Sequence, residues 1–413
     1  MKLLDTAREI PTLTTRERDR RWNMLRELME ENDVDCLLVP PTGFDGPDTY
    51  ITNDSPGSTV IFPRIGEPTA IQRGGFVAGG WLQAHEWDEE SWVRDMRFHP
   101  GVPSIAAILK EKGLEKGRIG TIGVLGGTHL NPHGWTPAPM WAKLQEALPD
   151  AEFVELVEQF VLRWMVKSDD ELVLHHYVAG VAEAACQVML EETKVGANEA
   201  DIYAAVMGEI YRRGVNATPM NFHSGKGNLS WARPRWLARP QKPRTIENGD
   251  VILSELFATV GNVEASAQMC IGVGDVDESY IRAAKIAREC YEQALATMRP
   301  GIRFEELALA MSAPLEPAGA WQLTPQIHSQ SPLQLVSRVS QDIDVSITSK
   351  FKDVFERPID HPDVILKPGM LFQVEANASI GRSRVNIGGN MYVSEDGCVE
   401  LNSLPTEMRF VHA

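Results

Sequence analysis

The chain has 413 residues, 43% hydrophobic and 23% charged, the make-up of an ordinary globular protein long enough for two domains. Its 40 Lys and Arg stand against 57 Asp and Glu, a net charge of −17, which argues against nucleic acid and anionic membrane as general partners. No stretch approaches the ~18 consecutive apolar residues of a membrane span, and the start MKLLDTAREIPTLTTRERDRRW lacks the apolar core of a secretion signal, so a cytoplasmic protein is expected. Cys36, Cys186, Cys270, Cys290 and Cys398 are scattered, odd in number and without CxxC spacing. They read as reduced thiols, neither a disulfide framework nor a structural zinc site.

Residues 15–33 place Trp22, Leu25, Leu28 and Met29 at helical spacing with the opposite face charged. A strand is expected at Cys36 to Val39 and others at 58–62 and 68–72. A helix near 103–113, a strand at 118–124, a helix near 138–147 and a strand at 152–156 follow. This alternation predicts an α/β domain over residues 1–163. It carries no GxGxxG after a strand and no phosphate loop. His129 and His133 stand four apart in GTHLNPHGW, but Asn131, Pro132 and Gly134 make that stretch a loop with surface histidines. Trp81, Trp87 and Trp92 line GGWLQAHEWDEESW. Packing is the plain reading there, and a reach toward a neighbouring active site the functional one.

A second domain is expected over residues 164–413. In MVKSDDELVLHHYVAG, Ser168 and Glu171 form a capping box, and Asp169 and Asp170 suit the positive start of a long helix. His175 and His176 are adjacent on it and cannot both face one ligand. A second helix runs from about Asn198 to Arg213. The next segment, TPMNFHSGKGNLSWARPRWLARPQKPR, is rich in Gly and Pro and reads mostly as loop. From Ser230 to Arg244 it holds Arg233, Arg235, Arg239, Lys242 and Arg244 with no acid, interleaved with Trp231 and Trp236. One reading is a clamp for a carboxylate or other anion, since Arg matches carboxylates and Trp faces pack on guanidinium or substrate. The other is a solvated loop or subunit contact.

The run NGDVILSELFATVGNVEASAQMCIGVG, from Asn248 to Gly274, reads as a β-hairpin. Asp250 to Phe257 is an apolar strand, Ala258 to Asn262 a turn, and Val263 to Gly272 alternates at period two. Glu255 lies inside the apolar strand with Glu264 across the turn. A carboxylate there is either on a wet face or buried and partnered. Two helices follow, DESYIRAAKIARECYEQALATMRPG and one beginning near Arg303. Then come His328 in TPQIHSQSP, Glu375 at the centre of LKPGMLFQVEANASI, and a last hairpin, RSRVNIGGNMYVSEDGCVEL. Residues 320–365 read as irregular.

The order, spacing and flanking glycines of these segments resemble the creatinase / aminopeptidase P / prolidase family over essentially the whole chain. The resemblance implies an α/β N-terminal domain, which in the family often helps assemble a homodimer, and an α+β pita-bread catalytic domain. It also implies two divalent metals held by Asp, Asp, His, Glu and Glu, with a bound hydroxide attacking the scissile amide. Glu255 matches the first Asp, one methylene longer, His328 the histidine and Glu375 the first Glu. Anchoring on Gly261 puts Ala265 at the second Asp, and a one-residue slip, which swaps strand faces, puts Glu264 or Ser266 there. Gly388 or Gly389 stands at the second Glu.

With two carboxylates missing, no dinuclear centre is expected. If one metal (Mn, Zn or Fe) is bound, Glu255, His328 and Glu375 are its ligands. GDVILS, His328-Ser329 and the PGM…Glu375 strand also resemble the metal-free creatinase branch, in which carboxylates hold a C–N substrate and a histidine moves the proton. The expected function is therefore hydrolysis of a C–N bond in a small, carboxylate-bearing molecule. Glu375 and Glu255 orient, His328 or His223 transfers the proton, and Arg233, Arg235, Trp231 and Glu264 bind substrate. The alternatives are a metal-dependent Xaa-Pro dipeptidase or aminopeptidase and a non-catalytic binding homologue.

Overall fold

The computed structural model describes residues 10–42, 46–54, 56–74, 79–80, 82–83, 91–124, 126–229, 232–338 and 358–412. The chain divides into two compact units. One is Thr12–Asp170 with Ser331–Leu333, and the other is Glu171–Gln330 and Gln334 onward with the N-terminal residues to Pro11.

In the first unit the helical spacing around Trp22 becomes α1 (Thr15–Glu31), with Trp22, Leu25, Leu28 and Met29 buried as the pattern requires. It is followed by β1 (Cys36–Val39), α2 (Pro47–Thr52), β2 (Thr59–Pro63), β3 (Thr69–Gln72) and β4 (Asp95–Phe98). Then come α3 (Val102–Glu111), β5 (Arg118–Thr121), α4 (Ala138–Ala147), β6 (Glu152–Glu155) and α5 (Val157–Trp164). The six strands form one mixed sheet in the order β4-β3-β2-β1-β5-β6. One of its faces buries Leu38, Ile61, Ile71 and Ile119 against Ile105, Ile108 and Leu109 of α3 and Leu144 of α4. Trp92 is packing, not site. It lies 2% exposed beside the guanidinium of Arg21, which bonds Glu17 at 2.7 Å and the Tyr50 carbonyl at 2.8 Å. Trp81 and Trp87 fall outside the described residues.

The second unit begins on α6 (Asp169–Glu192) and α7 (Glu199–Arg212), the latter capped by Asn198 accepting from the Ala200 N–H. Next is β7 (Asn216–Gly225), where the Gly and Pro content predicts loop. The strand tolerates Pro219 because its pairing with the next strand shifts register between Thr218 and Asn221, a bulge that relieves Pro of a ladder hydrogen bond. The short α8 (Arg235–Ala238) precedes the hairpin β8 (Val251–Val260) and β9 (Val263–Val273). That hairpin turns in two residues, with Gly261 at φ +57, where five are expected. After α9 (Glu278–Thr297) and α10 (Phe304–Ser312) come β10 (Ile327–Ser329), β11 (Leu371–Val374), β12 (Asn377–Ile380) and β13 (Ser383–Asn386). The last strands are β14 (Asn390–Val393), β15 (Cys398–Glu400) and β16 (Arg409–Val411). Two four-stranded sheets result, β16-β9-β8-β7 and β10-β11-β14-β15, with β12 and β13 as a separate ribbon.

Among the described residues no helix is long and apolar enough to cross a membrane. All five cysteines are free, and burial pushes the Cys36, Cys270 and Cys290 thiols up to about 12, as inert packed thiols.

Candidate active site

The hairpin register decides which side chains meet. Glu255 lies opposite Gln268, Phe257 opposite Ser266, and Thr259 opposite Glu264. Directly opposed residues share a face, so Glu255, Gln268, Ser266 and Glu264 look the same way and Ala265 looks the other. Glu264 is thus not the direct partner of Glu255; Gln268 is, with its amide 3.4 Å from the carboxylate. Asn221 of β7, paired with Glu255 across the other edge, donates to it at 3.1 Å.

Glu375 follows the last residue of β11. Its N–H donates to the Gln326 carbonyl at 2.8 Å and its carbonyl accepts from Asn377 at 2.9 Å, which fixes the backbone on both sides. Its Oε1 lies 2.8 Å from His328 Nε2. The other imidazole nitrogen, Nδ1, lies 2.9 Å from the Ser329 carbonyl. A carbonyl only accepts, so Nδ1 carries hydrogen, and the Nε2–Oε1 contact shares one proton between base and acid. Burial alone pushes the imidazole pKa down. The charge and hydrogen bond of Glu375, then the Ser329 carbonyl and the charge of Glu264, outweigh it and hold the group above its ordinary value. For Glu255, burial and then the charges of Glu375 and Glu264 push the carboxyl well above the usual range, against weaker opposing bonds from Gln268 and Asn221.

Around these three groups the unit packs amides where carboxylates would be costly. Gln330 donates to Glu264 and to Ser266, both at 3.1 Å, and accepts from Asn390. Asn390 also bonds Gln373 at 3.1 Å and takes the Ser266 N–H at 3.2 Å. Arg384 of β13 is fully buried. One of its nitrogens donates to Thr324 at 2.7 Å and to Asn386 at 3.1 Å. Burial pushes its pKa down to about 10 against the charges of Glu375 and Glu255, so it stays cationic at neutral pH. It is the charged residue of this locality that sequence reasoning did not single out. Its one signal was an arginine in the short run Ser383–Asn386, two residues after Arg382.

Among the described residues, no hydrogen bond or ion pair joins His223, Arg233 or Arg235 to Glu255, His328 or Glu375. His223 is half-buried two positions along β7 from Asn221. Burial lowers its pKa, with Glu199 opposing and Arg235 and Arg244 assisting. Arg233 and Arg235 are exposed, Arg244 is paired with Asp250 at 2.7 Å, and Trp231 falls outside the described residues.

Gly388 closes the site from behind, at φ +145. A Cβ there would sit 1.7 Å from the Val374 carbonyl oxygen and 3.3 Å from the Glu375 Cα. Gly388→Ala is expected to destabilise the protein by on the order of 3–5 kcal/mol in a denaturant melt, displacing Glu375 as it does so.

The profile of metallopeptidase family M24 matches residues 174–398, more than half of the chain. The chain belongs to metallopeptidase family M24. Creatinase from a Bacillus species is 20% identical over 417 residues, covering 96% of this chain and 92% of that protein. Among solved structures, the X-Pro aminopeptidase from Thermotoga maritima aligns with a TM-score of 0.71 at 16% identity, over 94% of this chain and 99% of its own. The Xaa-Pro dipeptidase from Bacillus anthracis gives 0.70 at 18%, over 95% and 100%. The M24 fold thus spans nearly the whole chain, as an N-terminal α/β unit and a pita-bread unit.

The two-metal centre that M24 membership implies does not fit the residues present. Bridging two divalent cations takes several carboxylates. Here Gln268 faces Glu255, Ala265 is turned away, Ser266 and Asn386 are neutral, and neither Gly388 nor Gly389 has a side chain. Arg384 adds a positive charge to the same volume. Among the described residues no three His, Cys, Asp or Glu side chains form a group able to hold a metal ion, so Glu255, His328 and Glu375 do not close into the expected single-metal set either.

Proposed function

We propose that this M24 protein is a hydrolase that cleaves a C–N bond, amide or amidine, of a small carboxylate-bearing molecule with its own side chains as the acid–base machinery. The observation that carries this reading is the 2.8 Å contact between His328 Nε2 and Glu375 Oε1, with Nδ1 held on the Ser329 carbonyl at 2.9 Å. Such a pair can give its proton to a leaving nitrogen and recover one from the attacking water. Water adds to the carbon, the C–N bond breaks, and the nitrogen leaves protonated, so the pair ends as it began. Glu375 orients the imidazole, and the Glu255 carboxyl, held above its ordinary range by burial, hydrogen-bonds the substrate. Kinship with a creatinase and with Xaa-Pro peptidases supports hydrolysis as the reaction class.

Amine or urea release is expected from a panel of N-acyl and N-amidino amino acids, unchanged in rate after exhaustive chelation with EDTA. Activity that disappears on chelation and returns with Mn²⁺, or Xaa-Pro turnover with near two metal equivalents bound, would overturn the side-chain mechanism in favour of a metallopeptidase.

A further inference from the structure

Several fully buried polar atoms at this site have no hydrogen-bond partner among the described residues. The donors are Arg384 Nε and Nη1 and Asn386 Nδ2, and the acceptors are Glu375 Oε2 and Gln268 Oε1. They belong to one locality. Arg384 Nη2 bonds Asn386, the Gln268 N–H bonds the carbonyl of Gly388 two residues on, Gln268 bonds Glu255, and Glu375 packs behind Gly388. Native interiors leave few buried polar groups unmatched. A set holding both donors and acceptors is the pattern of a site shaped for a molecule that supplies both.

The charges point the same way. Arg384 is a fully buried guanidinium, and among the described residues no carboxylate lies within ion-pair distance of it. A buried guanidinium binds a carboxylate far more strongly than the exposed Arg233 and Arg235 can, because water screens the latter.

We propose that Arg384 is the anion-binding group of the site. A carboxylate of the ligand seats against its Nε and Nη1 with the Asn386 amide beside it, while Glu375 Oε2 and Gln268 Oε1 accept from N–H groups of the same molecule. The ligand class is a small molecule with a carboxylate at one end and an N–H-bearing amide or amidine at the other. The hydrolase reading is what makes that molecule the substrate; the binding itself is tested without turnover.

The full-length protein is titrated by saturation-transfer NMR with N-acetylglycine and with N-acetylglycinamide, which differ in the carboxylate alone. Wild type is expected to prefer the carboxylate by about tenfold or more. Arg384→Gln is expected to abolish the preference and Arg384→Lys to keep part of it. A wild type without preference overturns the proposal, as does a folded Arg384→Gln that retains it. Should Arg384→Gln fail to fold, Asn386→Leu is expected to weaken N-acetylglycine selectively, and equal weakening of both probes overturns the proposal. A preference that stands while no amine is ever released would instead sink the hydrolase reading alone.

Discussion

His328→Ala is expected to lower kcat by about a thousandfold, the middle of the range for losing a positioned acid–base group. It also strands the Glu375 carboxylate, buried and without its Nε2 partner, so a loss of about 1–3 kcal/mol of stability should accompany it. Exogenous imidazole restoring part of the rate would separate the lost proton carrier from the lost packing. The pH profile gives a second check. The imidazole pKa is held above its ordinary value, so the proton is present at low pH and is lost as pH rises through the raised value. In Glu375→Gln the two largest raising influences disappear and burial prevails. The alkaline fall in activity should then move to lower pH. A rate within threefold of wild type in His328→Ala, or an alkaline limb that stays put in Glu375→Gln, would remove His328 from the chemistry.

Much of the fold could be read from the sequence because its elements have strong periods. The helix at Thr15–Glu31, the strand at Cys36–Val39 and the hairpin around Gly261 all lie within a few residues of their expected places. The strand β7 could not be read this way. Pro219, Gly225 and Gly227 are loop signals, and only tertiary pairing with β8, with a bulge at the proline, makes the segment extended. That strand supplies Asn221, so missing it meant missing a partner of Glu255.

In the site, Glu255, His328 and Glu375 stood out because a charge in an apolar strand or an isolated histidine breaks a pattern. The residues around them did not. A one-residue uncertainty in the hairpin left Ala265, Glu264 and Ser266 open, and only the two-residue turn turns Ala265 away and brings Gln268 opposite Glu255. Gln268, Asn386 and Gln330 are neutral residues that are polar for many reasons, and sequence spacing does not say that they converge. Arg384 was overshadowed by the cluster of arginines between Ser230 and Arg244. There density of charge signals exposure, whereas Arg384 lies in a strand that burial removes from water.

Glu255→Gln is expected to make the protein more stable and less active at once. Unlike a surface carboxylate, this group has a folded-state pKa well above its unfolded value, for which burial is the first cause and the charges of Glu375 and Glu264 the next. At a pH below the unfolded value the carboxyl is protonated in both states, and Glu and Gln should be nearly equivalent. As pH rises past that value the unfolded chain releases its proton while the folded chain retains it. Stability then falls steadily toward the folded-state pKa, beyond which the penalty is complete. Gln, which never ionises, escapes this loss. The variant should therefore gain on the order of 0.5–2 kcal/mol over wild type at about pH 8 and almost nothing at about pH 4, read from denaturant midpoints. Its kcat/KM should drop by about ten- to a hundredfold, because the carboxyl proposed to hydrogen-bond the substrate is gone. Stabilisation coupled to lost activity marks a residue kept for chemistry at the expense of the fold. A stability difference that does not change with pH would show that burial does not hold the Glu255 carboxyl above its ordinary range.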